Sequence, residues 1–463
     1  MTDPIPDRLP DRLRPRKRDG PRDVSRRRFL RGSAAASATA GAVASAGCSE
    51  EPDEPTPTPE PEATGSPADE DDGPASVDDA ETGVEEESDD GDDGDDEEHE
   101  ETTVYVFNTG EMTVSLIDPA TDTLVETTHL GATSSFPANQ YATTVREIET
   151  LWLNVEGGVR GYDPASLDLA VEVATGSDSN WQEVTPDGRH LVVSAREPTH
   201  AQYRIDADPG SESFGELTGE IDRDEAGPCD VSIGPEGEYA YVPDLFADTL
   251  TVIDVEAFEV AAQIDVDPVL EGVTASAPYM GTASWDGEYL SIEHLEGDHG
   301  TQGIWDVSDP TEPEELVRLT EDDGLGGGTI TSEFDAGGQT LYVFTPDTED
   351  VTVIDVEELA VVDRIDLGGS AYAGTWDPTL EKLYVPVQSA DEVAVIRDRG
   401  LIDRIEVGSA PYGATARHGR PESDVVGRFV ATLAGMGVDV GGSGTTYCIG
   451  DCRCAVGRCS VEE

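Results

Sequence analysis

Four of the chain's six cysteines fall within twelve residues: Cys448, Cys452, Cys454 and Cys459, a C-x3-C-x-C-x4-C arrangement. Four thiolates can close a tetrahedral shell around Zn²⁺ or Cu(I), or hold an iron–sulfur centre. Gly450 and Gly457 permit the tight chain reversals that a shell requires. Arg453 and Arg458 offset thiolate charge and lower the thiol pKa values. Two disulfides are the competing reading, since disulfides persist in an oxidising exterior and four cysteines allow three pairings. Free thiols are the third. The metal site is the expectation carried forward, and Cys229 stands alone in the middle of the chain.

A second cluster, His294-Leu295-Glu296-Gly297-Asp298-His299, sets two imidazoles and two carboxylates close together. Such groups can bind a metal, but the stretch reads as a solvated loop on a long connection. No nucleophile elbow, phosphate loop, dinucleotide fingerprint or HExxH is present.

The scaffold that must position these residues is written as a repeat. Seven β-rich phrases each end in an apolar residue and a charged one: Leu116-Ile117-Asp118, Gly161-Tyr162-Asp163, Arg204-Ile205-Asp206, Val252-Ile253-Asp254, Ile304-Trp305-Asp306, Val353-Ile354-Asp355 and Val395-Ile396-Arg397. They lie about 45, 43, 48, 52, 49 and 42 residues apart, the spacing of four strands per propeller blade. In the fullest copy, Gly234-Pro235-Glu236-Gly237 is a turn. Strands come next at 239–242, 249–253 and 260–264. No such unit buries its apolar face alone, and seven can close a ring. The array opens mid-blade at Thr103 and finishes on an orphan inner-strand phrase, Gly408 to Ala416. That last phrase can supply the strand the first blade lacks and remove the exposed edges. The fold class expected is all-β: a seven-bladed β-propeller over 103–418.

Tyr105-Val106-Phe107-Asn108, followed by Thr113 to Val125, resembles the YVTN-type β-propeller repeat. The resemblance covers roughly residues 103–418. It implies a ring fold and an exported or surface-layer-associated protein. Similar seven-bladed rings also occur in lactonases and redox enzymes, so the resemblance leaves activity open. The Cys448-x3-Cys452 spacing is similar to that of a binuclear copper centre, but Val456 stands where that centre needs a histidine.

Residues 1–47 read as a targeting segment outside the fold. Ser25-Arg26-Arg27-Arg28-Phe29-Leu30-Arg31 matches a twin-arginine export signal, with Arg26 and Arg27 as the pair. Ala46-Gly47-Cys48 looks like a lipoprotein cleavage box, with Ser45 in place of the usual Leu. Lipidation of Cys48 would anchor the chain to the outer face of the cell membrane; cleavage after Ala44-Ser45-Ala46 would release it instead. Residues 48–102 begin Pro-rich and end nearly all carboxylate, the composition of a disordered acidic tether. Over 419–463, Val425, Val426, Phe429, Val430 and Leu433 mark one face of a short helix docked on the ring, before a Gly-rich arm and the Cys-rich tail.

Asp and Glu number 100 against 28 Lys and Arg, for a net charge of −72. Dense carboxylates keep a surface hydrated when salt screens their repulsion, so the composition reads as halophilic. An acidic binding surface and general disorder are the other readings. The sum resembles a haloarchaeal exported lipoprotein. Nucleic acid is excluded as a partner by the absence of a basic patch beyond the N-terminus, and a monomer is expected.

Aligning the repeats puts Trp181, Cys229, Tyr279, Tyr372 and Tyr412 at the channel entry, with Tyr141 placed less securely. Aromatic rings there can stack on a protein or small-molecule ligand, or simply plug the channel. Three functions emerge as expectations: a binding or scaffold protein, a metal-handling or redox accessory, and, from fold analogy alone, a lactonase-type hydrolase.

Overall fold

Each of the seven phrases becomes the second strand from the outer edge of an antiparallel blade, four-stranded in six blades, and is buried on both sides because neighbouring blades cover both faces. The computed structural model describes residues 101–444, apart from Glu149 and Glu197. Cys48, Arg26 and Arg27 lie outside the described residues, as do Cys448, Cys452, Cys454 and Cys459. Blade four shows the plan: Ser232–Ile233 innermost, then Tyr239–Asp244, Thr249–Asp254 and, outermost, Glu259–Asp265. The outer strand alternates exposed and half-buried residues, as a one-sided sheet edge must.

Closure occurs where the sequence expects it. Pro411–His418 is the inner strand of blade one, paired with Thr102–Asn108 in a register that sets Tyr105 opposite Thr415. The apolar core is correspondingly divided by interface. One cluster joins blades seven and one (Tyr384, Val393, Val104, Val106), another joins one and two (Tyr105, Leu116, Leu151), and others continue round the ring. Lys382, the only lysine among the described residues, crosses the closing seam from blade seven. It donates to Asp122 at 2.5 Å and to the Pro119 carbonyl.

Blade two departs from the plan. It has three regular strands, Leu151–Val155, Gly158–Tyr162 and Leu169–Ala174. Pro137 cannot donate to a ladder, and the inner position is held by irregular chain instead. There the Ala138 N–H donates to the Trp152 carbonyl (3.0 Å), while the Asn154 side chain accepts from the Phe136 N–H (3.0 Å) and from Ser134. The chain then turns into helix α1, Gln140–Thr144.

The C-terminal helix α2, Val425–Gly435, forms as expected but packs on a different face. Gly427, Ala431 and Ala434 are buried, whereas Val425, Val426 and Phe429 are exposed at 69, 69 and 62%. The reason is close approach: a Cβ on Gly427 would lie 2.2 Å from Thr128 Oγ1 in the outer strand of blade one. Small residues bring the helix in; Val425, Val426 and Phe429 are turned out, while Val430 and Leu433 stay half-buried. Asp424 caps its start by accepting from the N–H groups of Val426 and Gly427 (2.9 and 2.8 Å).

Buried charge also ties blades together. Arg223, after the outer strand of blade three, donates to both oxygens of Asp244 on blade four at 2.9 Å, and both side chains are almost fully buried. Arg223→Met leaves Asp244 buried without its cation and should destabilise the ring by about 3–5 kcal/mol. A denaturant midpoint measures this; an unchanged midpoint would show that Thr249 and Thr251, which also donate to Asp244 (2.8 and 2.6 Å), suffice.

Candidate functional site

The inner strands converge on a central channel with three layers. The first, the mouth, lies at the end where the second and third strands of each blade are joined. Trp181, Cys229, Tyr279, Tyr372 and Tyr412 meet there in one apolar cluster with Phe136, Leu245, Met280 and Ile330. Tyr372 stacks on Tyr412 (centroids 5.1 Å, 7° between planes). Phe136 packs against Trp181 at 4.2 Å and edge-on to Tyr412 at 5.7 Å. The Tyr279 hydroxyl donates to the Thr329 carbonyl. The five aligned positions are therefore brought together, and they pack on one another. Cys229 is disulfide-bonded, so its isolation in the sequence does not leave it a free thiol.

Tyr141 is not among them. It lies on α1, at the other end of the channel, where its hydroxyl donates to the Ile233 carbonyl (2.6 Å) and its ring meets Trp285 edge-on at 5.9 Å. Alignment misplaced it because blade two has no regular inner strand to align. Helix α1 and the residues leading into it form the second layer, a plug bonded around the ring. Gln140 donates to the Ala283 carbonyl of blade five (2.7 Å), and Asn139 to the Gly374 carbonyl beside blade seven (3.0 Å). The Ala138 carbonyl accepts from Thr415 and Arg417 of blade one, each at 3.0 Å.

Between mouth and plug lies the third layer, a group of carboxylates that the sequence reading missed: Glu183, Asp230 and Glu293, which are buried, and Glu333, half-buried on the central cavity, from blades three, four, five and six. Glu183 Oε2 accepts the Asn139 and Gln140 N–H groups (3.3 and 3.2 Å), so it faces the start of α1. Asp230 accepts from the N–H groups of Gly281 and Val231 (2.7 and 2.6 Å). Glu333 accepts from Asn139 Nδ2 (3.2 Å). Glu293 accepts from Ser291 (3.3 Å), and its other oxygen has no hydrogen-bond partner. Burial pushes Glu183 and Glu293 up to about 7. Asp230 and Glu333 are driven well above the carboxylate range, by burial first and then by the fields of the other acids. Arg417, itself fully buried, is the cation whose field reaches Glu183. One signal was available in sequence: Glu183, Asp230 and Glu333 are acids in or beside short inner strands. It was hidden in a chain rich in acids everywhere.

The remaining space is small. The central cavity, lined by Phe136, Asn139, Trp181, Thr282, Thr331 and Glu333, holds about 20 Å³, room for one water. Larger cavities lie off the axis, two of them above about 500 Å³. One of about 650 Å³ lies between blades six and seven beside Trp376, Arg397 and Arg399; the other, of about 580 Å³, lies beside Asp298 and His299. The His294–His299 stretch is not the loop expected. It is the tight hairpin between strands Tyr289–Glu296 and His299–Asp306. His294 is buried, Glu296 is committed to Arg318 (2.6 Å) and to the N–H groups of Val269 and Leu270, and His299 contacts Glu321. Among the described residues no group of three or more His, Cys, Asp or Glu side chains is placed to hold a metal ion.

Comparison with known proteins agrees with the ring and goes no further. A functionally unknown protein from Desulfotomaculum acetoxidans is similar over 68% of this chain and 99% of its own, with a TM-score of 0.55 and 15% identity. The periplasmic gluconolactonase of Pseudomonas aeruginosa matches over 68% and 98% (TM-score 0.53, 19% identity). A hydrazine synthase structure from Kuenenia stuttgartiensis matches over 64% and 92% (TM-score 0.52, 17% identity). At these identities the likeness concerns the β-propeller fold alone. No family model matches the chain, and no curated protein sequence matches it.

Proposed function

We propose that this chain is an exported, membrane-anchored binding or scaffold protein, presenting the faces of its propeller to a partner outside the cell. The observation that supports this reading best is the filled channel. A small-molecule site occupies about 300–1,000 Å³; the central cavity holds about 20 Å³ between an aromatic cluster and a helical plug, which leaves the blade faces and the off-axis cavities as the binding surface. Export and anchoring rest on the twin-arginine pattern at Arg26 and Arg27 and the cleavage box ending at Cys48. Among the described residues no helix is long and apolar enough to cross a membrane; attachment through a lipid at Cys48 rests on the cleavage box alone. The net charge of −72 suits a haloarchaeal protein of the YVTN-repeat type.

The gluconolactonase neighbour motivates a second reading, a lactone hydrolase. Against it, the carboxylates that converge in the channel have no histidine within their hydrogen-bonding partners. Incubation with gluconolactone should show no hydrolysis above buffer. Turnover that disappears in Glu333→Gln would overturn the scaffold reading. The metal-handling reading rests on the four C-terminal cysteines. Stoichiometric zinc, copper or iron in the purified protein, lost when Cys452 and Cys454 become Ser, would favour it.

A further inference from the structure

We propose that the cavity between blades six and seven binds a small hydroxylated oxyanion, a sugar phosphate or a sugar acid, on the guanidinium groups of Arg397 and Arg399. The cavity holds about 650 Å³, within the about 300–1,000 Å³ of small-molecule sites. It lies off the channel, where each blade turns from its inner strand to the next. Ala336 and Gly337 belong to that turn in blade six, Leu380 and Glu381 to that turn in blade seven.

The two arginines arise from a break in the repeat. Where the seven phrases end, blades one to six carry Asp118, Asp163, Asp206, Asp254, Asp306 and Asp355. Each of these carboxylates accepts from a backbone N–H two or three residues further on, at 2.7–3.1 Å. Blade seven has Arg397 there, which has no acceptor to offer. Its turn is also shorter. Four residues close it in blades one, four and six, but Arg397 pairs with Gly400 and only Asp398 and Arg399 lie between. Both are left-handed, at φ 48° and 62°, in a hairpin that Asn and Gly ordinarily fill. Side chains held in that region cost free energy, and such positions collect at ligand sites. The outcome is two arginines on one cavity wall, in a chain of 100 acids against 28 Lys and Arg.

Neither guanidinium is closely matched to a carboxylate. Arg397 lies 3.7 Å from Glu381 and Arg399 3.8 Å from Asp355, beyond hydrogen-bonding distance, whereas Arg223 and Arg318 sit 2.9 and 2.6 Å from theirs. Arg397 Nε is buried without a hydrogen-bond partner, as is the indole N–H of Trp376 on the same cavity. Arg399 donates to Thr340 Oγ1 across the seam at 2.9 Å, which orients its guanidinium. A phosphate or carboxylate can accept two parallel bonds from one guanidinium, so it suits this wall in charge and in shape. Asp335 is taken up by the Gln339 and Thr340 N–H groups (2.8 and 3.1 Å). Glu381 and Asp398, also on the cavity, repel a bare anion but accept from hydroxyl groups. They are the reason to assign a polyol that carries the anion.

The test is isothermal titration of the full chain, in salt that keeps it folded, with glucose 6-phosphate, glucuronate, inorganic phosphate and glucose. One of the two sugar anions should bind at one site per chain, at least about tenfold more tightly than inorganic phosphate, and glucose should not bind. The tighter sugar anion tells phosphate from carboxylate recognition. Arg397→Gln and Arg399→Gln should each weaken that binding by about tenfold or more while melting like the parent. No binding of either sugar anion, binding no tighter than that of inorganic phosphate, or binding unchanged in both variants would overturn the proposal. The probes compared on the parent chain decide alone if a variant does not fold. Such a failure leaves the proposed scaffold role standing, since that role rests on the export signals and the filled channel.

Discussion

Ending the chain at Val407 should abolish the folded ring, whereas ending it at Glu422 should leave a cooperative thermal transition. The shorter chain lacks Pro411–His418, the inner strand of blade one. Thr102–Asn108 then presents a full row of unpaired backbone groups at a sheet edge. Val104, Tyr105 and Val106, all fully buried, lose the strand beside them. The plug loses the Thr415 and Arg417 bonds to Ala138. Together these losses approach the whole stability of a domain, about 5–15 kcal/mol. The longer chain sacrifices only α2, a helix docked through three small residues, and the segment C-terminal to it. Circular dichroism melts and size-exclusion profiles of the two chains compare them directly. A chain ending at Val407 that melts cooperatively, within a few degrees of the other, would show that closure is not what holds the blades.

The second large effect concerns acidity. Glu183 and Glu293 have an ordinary value of 4.5 and are raised to about 7 in the fold, so the folded state binds protons that the unfolded chain has already released. Their contribution is fully present below pH 4.5 and is lost as the pH rises through about 7. For each group this amounts to about 3 kcal/mol at alkaline pH. Asp230 and Glu333 act in the same direction. Glu183→Gln and Glu293→Gln should therefore melt like the parent near pH 4.5 and several degrees higher at pH 8, with the double variant higher still. In Glu183→Gln the new amide oxygen can still accept from the start of α1. Calorimetry across that range is the measurement, and a variant whose pH profile parallels the parent's would show that these carboxyls are not protonated in the fold.

What the sequence disclosed and what it concealed divide along physical lines. The ring was legible because its signal is repeated: seven β-rich phrases, each ending in an apolar residue and a charged one, at spacings that fit four short strands per blade. Closure was legible because Gly408 to Ala416 duplicates an inner-strand phrase that has no blade of its own. Helix α1 was not, since Gln140-Tyr141-Ala142-Thr143-Thr144 is too short and too rich in β-branched residues to signal a helix unaided. Its stability comes from partners on other blades. The channel carboxylates were concealed for a related reason. Convergence of Glu183, Asp230, Glu293 and Glu333 is a property of the closed circle, and no local window of sequence contains it. On α2 the apolar residues were read correctly, but the direction of Val425, Val426 and Phe429 was not, because Gly427, Ala431 and Ala434 decide the contact by being small.

The plug also bears on how such a molecule can change over generations. Arrays in which every unit touches only its neighbours tolerate duplication or loss of a unit, since each junction resembles the next. Here residues 138–144 make separate, unlike bonds to blades one, three, four, five, six and seven. A recombination event that inserted or deleted one blade would leave this hub with donors and acceptors aimed at the wrong places, so the number seven is locked from the inside.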